Sequence, residues 1–313
     1  MKTFLLWIYN SIYQTLQHIY KYYHRHQWHY NHTNKIALCC IAKMENLYIK
    51  EFVEHYRDLG FNKIFIYDNN DYNGEVFDDI IGEYIQSGYC EIINFRGKKK
   101  CQIEAYEDCY IKHNKEYDWI AFFDCDEFLT FKDKEKDIHS FLRDRIFNPY
   151  QIVAFNWMVF GDNELLTYDK RGVKERFLNP VLPLNFKGVL DFPENNHIKT
   201  IIRGNLKDIS WKHSLTGSHM PYSKYIAICN ANANSIPNNA AMFPFNFKKA
   251  YLRHYSTKTI EEYILGKKKR GFPDCSTEES MLTLTIDYFF RYNSYNKEKE
   301  QIIKLLLQDE NVV

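Results

Sequence analysis

Four residues, Asp124, Cys125, Asp126 and Glu127, follow directly on the apolar run Trp119 to Phe123. Ligands of open α/β sheets bind beyond the carboxyl ends of the strands, so carboxylates ending a buried strand sit where a substrate belongs. In an extended chain Asp124 and Asp126 project from one side and Glu127 from the other. Two hard oxygen ligands on one side suit Mg²⁺ or Mn²⁺, ions that also hold a diphosphate. The competing reading is a solvated acidic turn, since Asp-x-Asp by itself is common.

Other residues could join this chemistry. The run Lys267 to Arg270 suits a diphosphate, or else forms a solvated charged face. Lys98 to Lys100 reads as a solvated loop, with Gln102 opening the helix that follows. Glu45 and Asp68 come just after the first two apolar runs. In isolation they read as a helix N-terminal charge and a turn former before Asn69 and Asn70. His254 follows the apolar approach Ala250 to Leu252, and a lone histidine there is usually structural. Asp162 and Glu164, in the loop after Trp157 to Gly161, are candidates for a general base. His213 and His219 are candidates for acceptor contacts.

The elements that must position these residues begin at Lys35. Ile36 to Ala42 is a short continuous apolar run, as a central parallel strand requires. Ile49, Phe52, Val53 and Tyr56 mark one helix face, with Gly60 placed to cap it. Lys63 to Tyr67 is a second strand, and Val76 to Ile85 a second helical stripe ended by Gly88. Tyr89 to Phe95, Gln102 to His113 and Trp119 to Phe123 continue as strand, helix and strand. This rhythm predicts a Rossmann-like open sheet. After Asp124 it breaks down. Strands are predicted over 150 to 160 and 198 to 203, separated by a stretch rich in Asn, Pro and Gly that reads as long functional loops. Helices are predicted at about 258 to 265, 277 to 292 and 296 to 308.

With 313 residues the chain can bury a real core, and one catalytic domain is expected. Its 41 Lys and Arg against 40 Asp and Glu give a net charge of +1, which excludes a general nucleic-acid binder and makes any cationic site local. Eight cysteines without a CxxC pair or regular spacing predict a reducing, cytoplasmic setting. Residues 1 to 23 predict an amphipathic helix, with Leu5, Ile8, Ile12, Leu16 and Ile19 on its apolar face. Asn10, Gln14, Gln17 and His18 interrupt it too often for it to span a bilayer, and no small-residue cleavage site follows. Such a helix lies on a membrane surface or docks on its own domain. The expected division is an N-terminal helix over 1 to 34, a catalytic domain over 35 to 271 and a helical extension over 272 to 313.

Several blocks resemble one group of enzymes. Ile-Ala-Lys-Met-Glu-Asn from Ile41, with Glu-His-Tyr, Leu-Gly-Phe and Ile-Phe-Ile-Tyr-Asp-Asn up to Asn70, resembles the opening of family 2 and family 92 glycosyltransferases. Residues 118 to 129, Asp-Trp-Ile-Ala-Phe-Phe-Asp-Cys-Asp-Glu-Phe-Leu, resemble their metal-binding strand. Asn156-Trp157, Phe160-Gly161, Arg253-His254-Tyr255 and Lys267 to Gly271 are similar to later blocks, in the expected order. One position departs from the pattern: Met44 stands where the loop usually reads Lys-Asn-Glu.

The resemblance implies a GT-A fold, an open mixed sheet flanked by helices. It also implies a nucleotide-sugar donor, usually a UDP-sugar, with Mn²⁺ or Mg²⁺, and a glycan or glycolipid acceptor, as in surface polysaccharide or lipopolysaccharide synthesis. Asp124 and Asp126 would hold the metal, with His254 completing the site. Glu45, Asp68 and Gln102 would face the donor, and Lys267 and Arg270 its diphosphate. The family favours inversion at the anomeric carbon, which needs a carboxylate base. Two rivals remain: a metal-dependent nucleotidyltransferase or phosphotransferase using the same carboxylates, and a non-catalytic binding protein on a degenerate transferase fold.

Overall fold

Strand β1 (Ile36–Ala42) is buried at every position, because helices cover both faces of the sheet around it. Its side chains alternate between two apolar cores: Ile36, Leu38 and Cys40 join one, and Ala37, Cys39 and Ile41 the other. A computed structural model describes residues 35–133, 136–181, 194–207, 209–212, 214, 217–222, 226–238 and 246–308. The amphipathic helix expected over residues 1 to 34, and His213, lie outside the described residues.

The strands are β1, β2 (Lys63–Asp68), β3 (Cys90–Asn94), β4 (Trp119–Phe122), β5 (Glu127–Phe131), β6 (Ile152–Val159), β7 (Ile198–Arg203), β8 (Ile228–Asn230) and β9 (Ala250–His254). They form one sheet in the order β3-β2-β1-β4-β7-β6-β9-β5, with β8 beside β6. The first half is parallel, β1 lying between β2 and β4, and β2 beside β3. Helices α1 (Ile49–Asp58), α2 (Asp78–Gln86) and α3 (Gln102–His113) make the crossovers. Helix α1 buries Ile49, Phe52, Val53 and Tyr56, the stripe visible in the sequence. It ends at Gly60, whose φ of +91° suits glycine.

Beyond β4 the sheet becomes mixed. Strand β7 runs antiparallel to β4, β6 antiparallel to β7, and β9 parallel to β6. Strand β5 closes the edge antiparallel to β9. The open mixed sheet flanked by helices is thus as expected. A third apolar cluster, including Val159, Tyr263, Leu284 and Phe289, holds the C-terminal helices against the sheet.

Two local expectations fail. The helix predicted over 277 to 292 is two helices, Thr277–Thr283 and Ile286–Phe290, because the Thr285 side chain accepts from Tyr288 N and starts a new one. The segment 124 to 127 is not extended. Strand β4 stops at Phe122, and Glu127 N donates to Asp124 O at 3.0 Å, which makes a tight turn. Among the described residues no helix is long and apolar enough to cross a membrane. All eight cysteines are unbonded, and all but Cys275 are buried.

Candidate active site

The turn 124 to 127 places Asp126 and Glu127 beside the end of β9. Glu127 is paired with His254 in the β5–β9 register, and Tyr255 N donates to Asp126 O at 2.9 Å. The Oδ1 of Asp126 lies 3.6 Å from His254 Nε2. One ligating atom each from Asp126, Glu127 and His254 falls within 4.8 Å of the others, and all three residues are buried. Among the described residues Glu127 Oε1 and His254 Nδ1 have no hydrogen-bond partner. A buried polar atom without a partner is costly, and receiving a cation would offset that cost. Two carboxylates with an imidazole fit Mn²⁺ better than Ca²⁺ and admit Mg²⁺.

This grouping differs from the pairing of Asp124 with Asp126 predicted from an extended chain. The turn brings Glu127 round to Asp126, while Asp124 engages other partners. Asp124 Oδ1 accepts from Gln102 Nε2 at 2.8 Å and from the Tyr106 hydroxyl at 3.0 Å. Its Oδ2 lies 2.8 Å from Lys199 Nζ, and its backbone N donates to Glu127 Oε2 at 3.1 Å. Gln102 therefore acts on Asp124, as a positioning residue at the start of α3. Lys199 and Tyr106 escape detection by motif. Lys199 still left a signal, as a lone lysine inside the apolar strand Ile-Lys-Thr-Ile-Ile-Arg.

Charge shapes the site. Burial alone would raise the pKa of Asp126, but Lys267, His254, Lys258 and Lys199 outweigh it and hold the carboxylate well below its ordinary value. Burial pushes Glu127 strongly upward, with Asp124 and Asp126 adding to it against Lys199. Burial pulls His254 down to about 3 despite Asp126, which keeps the imidazole neutral and able to ligate. Burial opposes the charge on Lys199 as well, yet Asp124 and Glu127 raise its pKa above the ordinary value.

The remaining predicted residues divide into two groups. Lys267 and Arg270 reach the site, with Lys267 Nζ 3.5 Å and Arg270 Nη2 3.8 Å from Asp126 Oδ2. Arg270 also pairs with Glu45, so the first loop and the 267–270 segment are joined within the cleft lining. A π-helix over Tyr263–Lys268 carries Lys267 inward, a distortion common at functional sites. Asp68, by contrast, is held by Arg96 Nε at 2.8 Å and by Asn70, and it shapes the turn that sends Asn69 and Asp71 to the cleft. Asp162 and Glu164 are not among the described residues lining the cleft. Asp162 is buried with Lys299 Nζ at 2.6 Å, and Glu164 bonds Ser294 and Asn296. Both carboxylates, expected as candidates for a base, instead pair with Lys299 of the C-terminal helix Lys297–Gln308.

The cleft above these residues holds about 700 Å³, ample for a nucleotide-sized ligand. Among the described lining residues Lys and Arg outnumber Asp and Glu nine to five, so the near-neutral chain does concentrate its positive charge here. Trp157 forms part of the wall, with His254 at 4.1 Å, His197 at 5.1 Å and His219 at 5.3 Å between ring centroids. The His219 Nδ1–H donates to Ile198 O at 2.8 Å.

A family model described as Glycosyltransferase family 92 matches residues 35–288. A family 92 protein of Oryza sativa subsp. japonica is 24% identical over 98 residues, 31% of this chain and 16% of the rice protein. One of Arabidopsis thaliana is 28% identical over 102 residues, 31% of this chain and 17% of the plant protein. Each match thus spans about a sixth of the plant relative's own length. Among solved structures, S. aureus TarS is 12% identical with a TM-score of 0.39, over 82% of this chain and 71% of that one.

Proposed function

The chain belongs to glycosyltransferase family 92, and on that premise we propose that it moves a sugar from a nucleotide-sugar donor, a UDP-sugar, to a hydroxyl of a glycan or glycolipid acceptor. The observation that carries this reading is the meeting of Asp126, Glu127 and His254 with Lys267 and Arg270, of which all but Glu127 line the cleft. A divalent ion held by the first three would neutralise charge on the departing nucleoside diphosphate. Lys267 and Arg270 would bind the same phosphates from the other side, Arg270 through a fork suited to phosphate oxygens.

In the inverting reaction we propose, the acceptor oxygen forms a bond to the anomeric carbon as the bond from that carbon to the diphosphate breaks. The electron pair leaves with the diphosphate, and the acceptor hydroxyl gives its proton to a base. Of the cleft carboxylates, Glu45, Asp71, Asp124 and Asp126 each face a Lys or Arg. Asp274 also lines the cleft and makes no salt bridge among the described residues. We assign it the role of base, in place of Asp162 or Glu164. Its loop is fixed by Cys101 N, which donates to Pro273 O at 3.0 Å.

Incubation with a panel of nucleotide-sugars, with and without Mn²⁺, tests the reading by nucleoside diphosphate release. Metal-dependent release that Asp126→Asn abolishes would support it. Release of pyrophosphate or nucleoside monophosphate would instead favour a nucleotidyltransferase.

A further inference from the structure

The mouth of the cleft combines exposed apolar side chains with uncompensated positive charge. Leu265 is 49% exposed, Met281 65% and Leu282 80%. Leu265, Lys268 and Lys269 fall within five consecutive residues of the helical stretch that begins at Tyr263. Lys268, Lys269 and Met281 line the cleft. The helix Thr277–Thr283 is pinned to this segment, because Ser280 Oγ accepts from Phe272 N at 3.0 Å. Gly271 makes that contact possible: its φ is +74°, and a Cβ there would come within 2.9 Å of Ser280 Oγ. The apolar pair and the lysines therefore belong to one rim.

The charges around the rim are largely paired. Glu104 meets Lys98 at 2.6 Å, Glu279 meets Lys100 at 2.8 Å, and Lys99 acts on Glu278. Lys268 and Lys269 make no salt bridge among the described residues. A donor diphosphate would engage Lys267 and Arg270 and leave these two lysines without an anion. Large apolar side chains beside free ammonium groups suit the boundary of an anionic bilayer, where the first enter the acyl region and the second meet lipid phosphates. We propose that this rim, formed by Leu265, Lys268, Lys269, Met281 and Leu282, docks the protein on an anionic lipid surface. The cleft then opens towards the membrane, so the acceptor is lipid-linked. The nature of the acceptor rests on the transferase reading, whereas docking itself does not.

The test is sedimentation of the full chain with vesicles of phosphatidylcholine alone, or of phosphatidylcholine and phosphatidylglycerol in equal parts. The unaltered protein should bind the anionic vesicles and lose that binding in high salt. Lys268→Glu with Lys269→Glu, and separately Met281→Ser with Leu282→Ser, should each weaken binding at least about tenfold. All four side chains are at least partly exposed, and circular dichroism checks that the variants fold. Donor binding with Mn²⁺, measured on the unaltered protein, reports on the transferase reading separately. Equal vesicle binding by both double variants would overturn the proposal and place any membrane contact elsewhere, including residues 1 to 23. Failure of the unaltered protein to bind, or equal binding to neutral vesicles, would overturn it as well.

Discussion

Asp126 and His254 meet 3.6 Å apart, at the junction of a tight turn and the last residue of an internal strand. Both side chains are buried, and Glu127 joins them within 4.8 Å. Asp126→Asn, Glu127→Gln and His254→Ala should each remain folded and lose Mn²⁺-dependent binding of a nucleoside diphosphate. Chelation of the unaltered protein should reproduce that loss. Calorimetry checks this, and unchanged metal dependence in all three variants would rule the site out. Glu127 is expected to matter as much as Asp126, contrary to its place in an extended chain.

Asp274→Asn should lower turnover by about 10² or more, as loss of a general base does, with the donor affinity kept. A rate within about threefold of the unaltered protein would dismiss Asp274 as the base.

Asp162→Asn is expected to act on stability and leave turnover per folded molecule unchanged. Breaking a buried ion pair typically costs about 3–5 kcal/mol. Here the cost should be nearer about 2 kcal/mol, since Glu164 remains 3.4 Å from Lys299. Urea unfolding monitored by fluorescence provides the measurement.

His55 predicts an acid-sensitive fold. Its Nε2 lies 2.9 Å from Leu129 O and its Nδ1 3.2 Å from Lys174 Nζ, an arrangement that uses the neutral ring to donate once and accept once. Burial, with Lys174, lowers its pKa to about 3. Between that value and the unfolded value of about 6.5, the unfolded chain binds the extra proton, so stability falls as pH falls through this window. Thermal unfolding across it should show a slope that His55→Gln reduces.

Met44 has a φ of +54° and holds Asn70 Oδ1 through its backbone N at 2.8 Å. The left-handed conformation costs most residues about 1–2 kcal/mol, and asparagine tolerates it better. Met44→Asn should therefore stabilise the fold by about 0.5–1 kcal/mol, read as a higher urea midpoint at constant slope. The departure from Lys-Asn-Glu noted in the sequence thus falls at a position where backbone geometry favours asparagine.

The parallel half of the sheet was legible because each strand and helix carries a complete apolar period, as in β1 and α1. The meeting of Asp126 with His254, Lys267 and Arg270 was foreshadowed by the order of their blocks along the chain. Glu127 was not, because its direction depends on the hydrogen bond from its own N to Asp124 O, which no side-chain pattern announces. The ion pair of Asp162 was hidden for another reason. Its partner Lys299 lies far along the chain in a helix recognised only by apolar spacing, so a structural ion pair resembled a free loop carboxylate.

Strand β9 is held on both edges, with His254 opposite Glu127 of β5 and Val159 of β6. A shift of one residue in either pairing would turn the imidazole to the opposite face. Spacing within β5, β6 and β9 is therefore fixed by register. For protein engineering this sets a rule: an insertion or deletion inside any of these three strands should misplace the imidazole, whereas substitutions that keep their length should leave it aligned.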